Sequence, residues 1–159
     1  MDRLWAPWRA PYIRKIGKTK GCVFCRANKM KPGFESLCLV KTKFSMVVLN
    51  KFPYNSGHIL ILPRRHVATL AGLTKAESVD LHELLRKATL VLEQAYKPGG
   101  LNVGLNMGAV AGAGIPGHLH YHVIPRWAGD LNFFPLIAET KAVIESLEMT
   151  FDRLVPYFL

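Results

Sequence analysis

"HLHYHVIP", residues 118–125, places a histidine at every second position of an otherwise largely apolar stretch. Successive side chains on a strand point to opposite faces. A strand here therefore puts His118, His120 and His122 on one face and Leu119, Tyr121 and Val123 on the other. The three imidazoles become neighbours by construction. Each can be neutral or charged near neutral pH, and each offers a nucleophilic nitrogen, a donor or a metal ligand. Three aligned histidines are costly to bury together unless each has a task, and clusters of titratable groups mark functional sites. On these residues alone three roles compete: a three-histidine metal site, a proton relay, or a nucleophile flanked by helpers.

Just before this strand, "LNVGLNM" (101–107) reads as another strand, and "GAVAGAGIPG" (108–117) as a loop of small residues joining the two into a hairpin. Its glycines let the backbone approach a ligand closely and turn N–H groups toward it, which suits phosphate. The Walker spacing and its lysine are absent. Further upstream, "LTKAESVDLHELLRKATLVLEQAYKPGG" (73–100) changes to helical period, with Leu81, Leu84, Leu85, Ala88, Leu92 and Ala95 on one face. Thr74 and Glu77 form a capping box, and Pro98-Gly99-Gly100 stops the helix.

Before that helix, "LCLVK" (37–41), "FSMVVLN" (44–50) and "HILILP" (58–63) read as three short strands, the last two separated by the turn-rich "KFPYNSG" (51–57). At the other end, "AETKAVIESLEMTFDRLV" (138–155) predicts a C-terminal helix, with Val143, Leu147, Phe151 and Leu154 on one side. Three strands, a helix, two strands and a helix argue for an α+β fold with an antiparallel sheet, a long helix and a C-terminal helix.

The chain has 159 residues, half of them apolar, which suits one domain with a substantial core. We expect a single domain over 1–159: an N-terminal extension (1–20), irregular but anchored by Trp5, Trp8 and Tyr12, a core (21–134), and a C-terminal helix and tail (135–159). No apolar run approaches the roughly 20 residues of a membrane span, and the opening "MDRLWAPWRAPYIRK" is unlike a secretory signal. The expectation is a soluble, cytoplasmic protein without a membrane partner. The net charge of +10 is uneven: residues 1–66 carry fourteen Lys or Arg against two acids, and residues 67–159 seven against nine. A basic N-terminal part favours polyanions such as nucleotides or nucleic acid. Nucleic acid is the less favoured partner, because beyond Trp5, Trp8 and Tyr12 the basic residues are not interleaved with stacking aromatics. Of the three cysteines, Cys22 and Cys25 form a CxxC in "GCVFC", which in a reducing compartment points to metal or redox chemistry. Cys38, inside "SLCLV", reads as a small buried hydrophobe.

"HLHYHVI" resembles the His-x-His-x-His signature of the histidine triad family of nucleotide hydrolases and transferases. "GCVFC", "VVLNKFPYNSGHILILPRRHV" and "NMGAVAGAGIPGHLHYHVIPRWAGDLNF" are similar to that family's landmarks, in order, over roughly residues 21–134. "LWAPWR" and "PRWAGDLNF" look most like the branch containing dinucleoside tetraphosphate phosphorylases. The resemblance implies an α+β fold with a five-stranded antiparallel sheet and a long helix, and a homodimer with a joined ten-stranded sheet. It also implies that His120 attacks the α-phosphorus of a nucleotide and forms a covalent nucleotidyl-histidine, with its other ring nitrogen bound to the backbone carbonyl of His118.

By the same resemblance, His122 and the backbone of the Gly112, Gly114 and Gly117 loop hold phosphate oxygens, and Asn106 helps to position them. Asn50 holds the ribose, Val23 and Phe24 wall the base pocket, and His58 is a fourth histidine beside the triad. Trp127 offers a face for the second base of a dinucleotide. The chain departs from the family at Gly114-Ile115-Pro116, where many members carry a polar pair that can donate to the leaving group. A zinc-bearing subset of the family implies a structural site of Cys22, Cys25, His66 and His118, with no organic cofactor. The implied substrate is a dinucleoside polyphosphate such as diadenosine tetraphosphate. A nucleoside phosphoramidate, or a nucleotide-sensing role with little turnover, is the alternative.

Overall fold

The computed structural model describes residues 21–130 and 144–158. The expected N-terminal extension and residues 131–143, with Val143 and the start of the expected C-terminal helix, lie outside them. The elements are α1 (Val23–Lys29), β1 (Cys38–Lys41), β2 (Ser45–Leu49), β3 (Ile59–Pro63), α2 (Lys75–Tyr96), β4 (Gly100–Leu105), β5 (Tyr121–Arg126) and α3 (Leu147–Phe158). The strands form one five-stranded antiparallel sheet, as expected, and their order is β1-β2-β3-β5-β4.

Both faces of the sheet centre are covered, which is why β2 and β3 are buried at every position. Val47, Leu49, Ile59, Ile61, Leu119 and Val123 pack on one face against Leu81, Leu84, Ala88, Val91 and Leu92 of α2 and Leu154 and Phe158 of α3. Met46, Val48, Leu60 and Leu62 point the other way, onto Phe24 of α1. A strand covered on both faces reads as a continuous apolar run rather than an alternation. The second layer is the short α1, which the sequence reading did not anticipate.

Helix α2 starts where the capping box predicts. Thr74 Oγ1 accepts from Glu77 N–H, and the Glu77 carboxylate accepts from Thr74 N–H. Glu77 also takes two hydrogen bonds of 2.7 Å from Arg65, which hold its carboxyl down to about 2. That ion pair ties the loop after β3, and His66 within it, to the start of the helix. Helix α3 begins later than expected. Ile144 to Ser146 are not helical, and Ser146 Oγ caps the helix by accepting from Met149 N–H. Glu145 is turned instead to the Tyr96 hydroxyl (2.5 Å) and to Arg153 (2.8 Å).

β5 also starts later than predicted, at Tyr121 rather than His118. Its pairing with β3 runs through Ile61↔Tyr121, so Pro63 would face Leu119. Proline has no N–H to give the ladder, and regular pairing ends there. The alternation nevertheless persists: Leu119 lies in the helix-side core, whereas His118 and His120 pack on Phe24.

Candidate active site

The triad histidines lie on the α1 face, and each ring has a defined hydrogen-bond partner. His120 is 4% exposed, and its Nδ1 donates to the His118 carbonyl at 2.8 Å. Its Nε2 is therefore the unprotonated nitrogen. Burial pushes the imidazole below its usual value, opposed by the hydrogen bond to His118. A neutral ring with a fixed tautomer and one bare nitrogen is a competent nucleophile.

The neighbouring ring has the opposite polarity. The backbone N–H of Tyr54 donates to His58 Nδ1 at 3.0 Å, and Asn50 Nδ2 approaches the same nitrogen at 3.2 Å. The proton of His58 is therefore on Nε2, which donates to His122 Nδ1 at 2.9 Å. His122 must carry its own proton on Nε2, as a donor. Its ring centroid lies 5.1 Å from that of His120. A nucleophilic nitrogen beside a donor imidazole is the arrangement that attack at phosphorus needs.

Burial, then the neighbouring rings of His122 and His120, lowers His58 to about 3; burial, then His120, lowers His122 to about 4. Between pH 6.5 and those values the unfolded chain binds more protons than the folded one, so stability falls with falling pH. His58, 1% exposed, contributes a loss of about 3 kcal/mol by pH 4.5. Urea midpoints at pH 7.5 and 4.5 should show this drop, and it should shrink by about that amount in His58→Asn.

Phe24 closes one end of the row of rings, 5.3 Å from His118 and 5.2 Å from His120, with half-buried Val23 packed beside it. Asn50 serves as a turn asparagine, its Oδ1 accepting from Phe52 N–H at 3.0 Å. In the glycine loop the structure modifies the expectation. The Gly112 N–H is turned inward to the Ala109 carbonyl and cannot serve a phosphate. Gly112 has φ +91°, and a side chain there would approach Asn106 Nδ2. The Gly114 and Gly117 amides take no acceptor among the described residues. Gly117 also makes room for His66, since a Cβ would come within 3.2 Å of His66 Nε2. Trp127 is not brought to the histidines. It packs edge-on to Tyr96 at 6.1 Å, five residues beyond His122, which is about 16 Å along a strand. Tyr54, which the sequence reading did not single out, stands there instead, its ring 5.9 Å from His122 and within 13° of parallel.

Cys22, Cys25, His66 and His118 converge, with one ligand atom from each, all within 4.8 Å of one another. Cys22 Sγ lies 3.4 Å from His118 Nδ1, and Cys25 Sγ 3.4 Å from His66 Nδ1 and 3.7 Å from His118 Nδ1. A tetrahedron with the usual zinc–sulfur and zinc–nitrogen bonds has edges of about 3.3–3.8 Å. The outer nitrogen of His118 donates to the Pro63 carbonyl at 2.8 Å, leaving Nδ1 bare and aimed at the cysteines. Metal-bound histidines are held in this way. The four residues fit a tetrahedral metal ion.

A buried histidine with one bare ring nitrogen, a second imidazole beside it and a Cys₂His₂ cluster behind them form a site whose chemistry suits phosphoryl or nucleotidyl transfer. The family model described as HIT domain matches residues 31–129, and the chain belongs to this family. The AP-4-A phosphorylase of Mycobacterium tuberculosis is 37% identical over 94% of this chain and 80% of that protein. The asymmetrical bis(5'-nucleosyl)-tetraphosphatase of Schizosaccharomyces pombe is 34% identical over 75% of this chain and 62% of that one. The crystal structure of a zinc-bound histidine triad family protein from Mycobacterium smegmatis shares the fold, with a TM-score of 0.68 and 21% identity over 87% of this chain and 93% of that one. No helix among the described residues is long and apolar enough to cross a membrane.

Proposed function

We propose that the protein is a nucleotidyl hydrolase or transferase that cleaves a dinucleoside polyphosphate, such as diadenosine tetraphosphate, through a covalent nucleotidyl-His120. The observation that carries this reading is the bare Nε2 of His120 beside the Nε2–H donor of His122. Likeness to two relatives named for this substrate class supports it. In the first step His120 Nε2 forms a bond to the α-phosphorus, and the bond from that phosphorus to the bridging oxygen breaks. The leaving half departs with the electron pair. Water or phosphate then attacks the same phosphorus and releases Nε2.

His122 steadies the phosphate oxygens as charge shifts, helped by the Gly114 and Gly117 amides and by Asn106. Val23 and Phe24 hold the base, and Asn50, its Oδ1 kept on Phe52 N–H, offers its Nδ2 to the ribose. Cys22, Cys25, His66 and His118 hold a structural zinc, which supplies a rigid cross-link and no part of the reaction. The reading places the protein in the cytoplasm, where the free cysteines stay available as ligands. Strand β4, an edge with Val103 46% exposed, is the surface for a second copy and a joined sheet.

Chromatography of the products of diadenosine tetraphosphate tests this. ADP with ATP, formed only when phosphate is added, identifies a phosphorylase; AMP with ATP in its absence identifies a hydrolase. No product under either condition removes the proposal in favour of a phosphoramidate substrate or a binding role.

A further inference from the structure

The row of rings has one closed end and one open end. At the closed end Phe24 is 6% exposed and covers His118 and His120. At the open end Tyr54 is 48% exposed, although its ring lies against both His58 (4.8 Å) and His122 (5.9 Å, nearly parallel). One face of Tyr54 is thus committed to the donor histidine, and the rest of the ring faces solvent at the mouth of the site.

With one nucleoside held beside Val23 and Phe24, as proposed above, the other half of the substrate extends toward the open end. The turn carrying Tyr54 is held for such a role. Phe52 N–H is bound to Asn50 Oδ1, and Tyr54 N–H to His58 Nδ1. His58 N–H is bound to the Asn55 carbonyl, and the Asn55 side chain is anchored to the Pro125 carbonyl (2.9 Å) and to Asp130 (3.0 Å). Gly57, at φ +75°, lets the turn close onto Tyr96, where a Cβ would come within 2.8 Å of the ring. An exposed ring on a fixed backbone loses little freedom when a base stacks on it. Lys51, exposed in the same turn, adds positive charge where a polyphosphate chain would leave.

We propose that Tyr54 is the stacking platform for the second base of the dinucleotide. This rests on the dinucleoside polyphosphate reading above. A base stacked on an aromatic side chain is worth enough to change affinity by about 10-fold.

The test compares diadenosine tetraphosphate with adenosine 5'-tetraphosphate, which lacks the second nucleoside, in wild type, Tyr54→Leu and Tyr54→Trp. Wild type should prefer the dinucleotide in kcat/KM. Tyr54→Leu should lose about 10-fold of that preference, chiefly in KM, and Tyr54→Trp should keep it. An unchanged preference in Tyr54→Leu overturns the proposal, even if both rates fall, because the ring would then only brace His122. A wild type without preference overturns it as well. If wild type turns over neither compound, the proposed reaction has failed, and calorimetric binding of the same two compounds decides the stacking on its own terms.

Discussion

Replacing His120 with alanine is expected to lower turnover of a dinucleoside polyphosphate by about 10⁴-fold or more while leaving the fold intact. The covalent route depends on one nitrogen, and removing a nucleophile from a concerted group of residues costs on this scale. No other imidazole can take its place. His118 Nδ1 faces the cysteines, and His122 presents a protonated Nε2 because His58 occupies its Nδ1. His122→Ala, which removes a donor but not the nucleophile, should cost less, about 10²–10³-fold. The truncation leaves a small cavity beside Phe24, so the thermal midpoint of His120→Ala should fall by a few degrees only. Mixing wild type with substrate in the absence of phosphate, quenching in alkali and weighing the intact protein should reveal one added nucleotidyl group. The same experiment on His120→Ala should show none; a variant that still turns over would remove His120 from the role.

The period-2 histidines and the apolar runs before them were enough to read the strands, because strand alternation and burial leave direct marks in sequence, whereas their union in one five-stranded sheet came from resemblance to the family. The capping box at Thr74 and Glu77 located the start of α2 for the same reason: the interaction is local. What was not legible depended on contacts across the fold. The seven residues of α1 carry little periodicity of their own and owe their place to Phe24 packing under Leu60 and Leu62. The late start of β5 follows from a proline on the partner strand, and that of α3 from a serine cap.

At the site, the CxxC announced a ligand pair, and resemblance to the family supplied the partners that geometry then brought together. Trp127, whose aromatic face suggested a stacking role, packs edge-on to Tyr96, a contact across the fold that the sequence does not display. The tautomers of His58 and His122 are set by the Tyr54 backbone N–H, a group that no side-chain pattern encodes. Polar chemistry in this site is thus legible where side chains alone make it and hidden where the backbone does.

Loss of the metal is expected to have the largest effect on stability, and it should be felt first at α1. A seven-residue helix is too short to persist unaided. Cys22 stands at its N-terminus and Cys25 in its first turn, so a zinc ion shared with His66 and His118 would pin this segment both to the loop after β3 and to the triad. Without it, Phe24 is held by packing alone, and the face formed by Met46, Val48, Leu60 and Leu62 loses its cover. Cys22→Ser should contain less than one zinc per chain where wild type contains one, and should lose about 4 kcal/mol of stability. In a chain of this size that lowers the thermal midpoint by about 8–16 °C. A chelator should reproduce the shift in wild type and have no further effect on the variant. Hydrogen exchange should quicken in residues 21–30 well before it does in α2, whose contacts lie on the opposite face of the sheet. Metal-free wild-type protein, made with adequate zinc and indifferent to the chelator, would mean that Cys22 and Cys25 are ordinary thiols. The 3.4 Å approaches of Cys22 Sγ to His118 and of Cys25 Sγ to His66 would then be hydrogen bonds rather than the edges of a metal site.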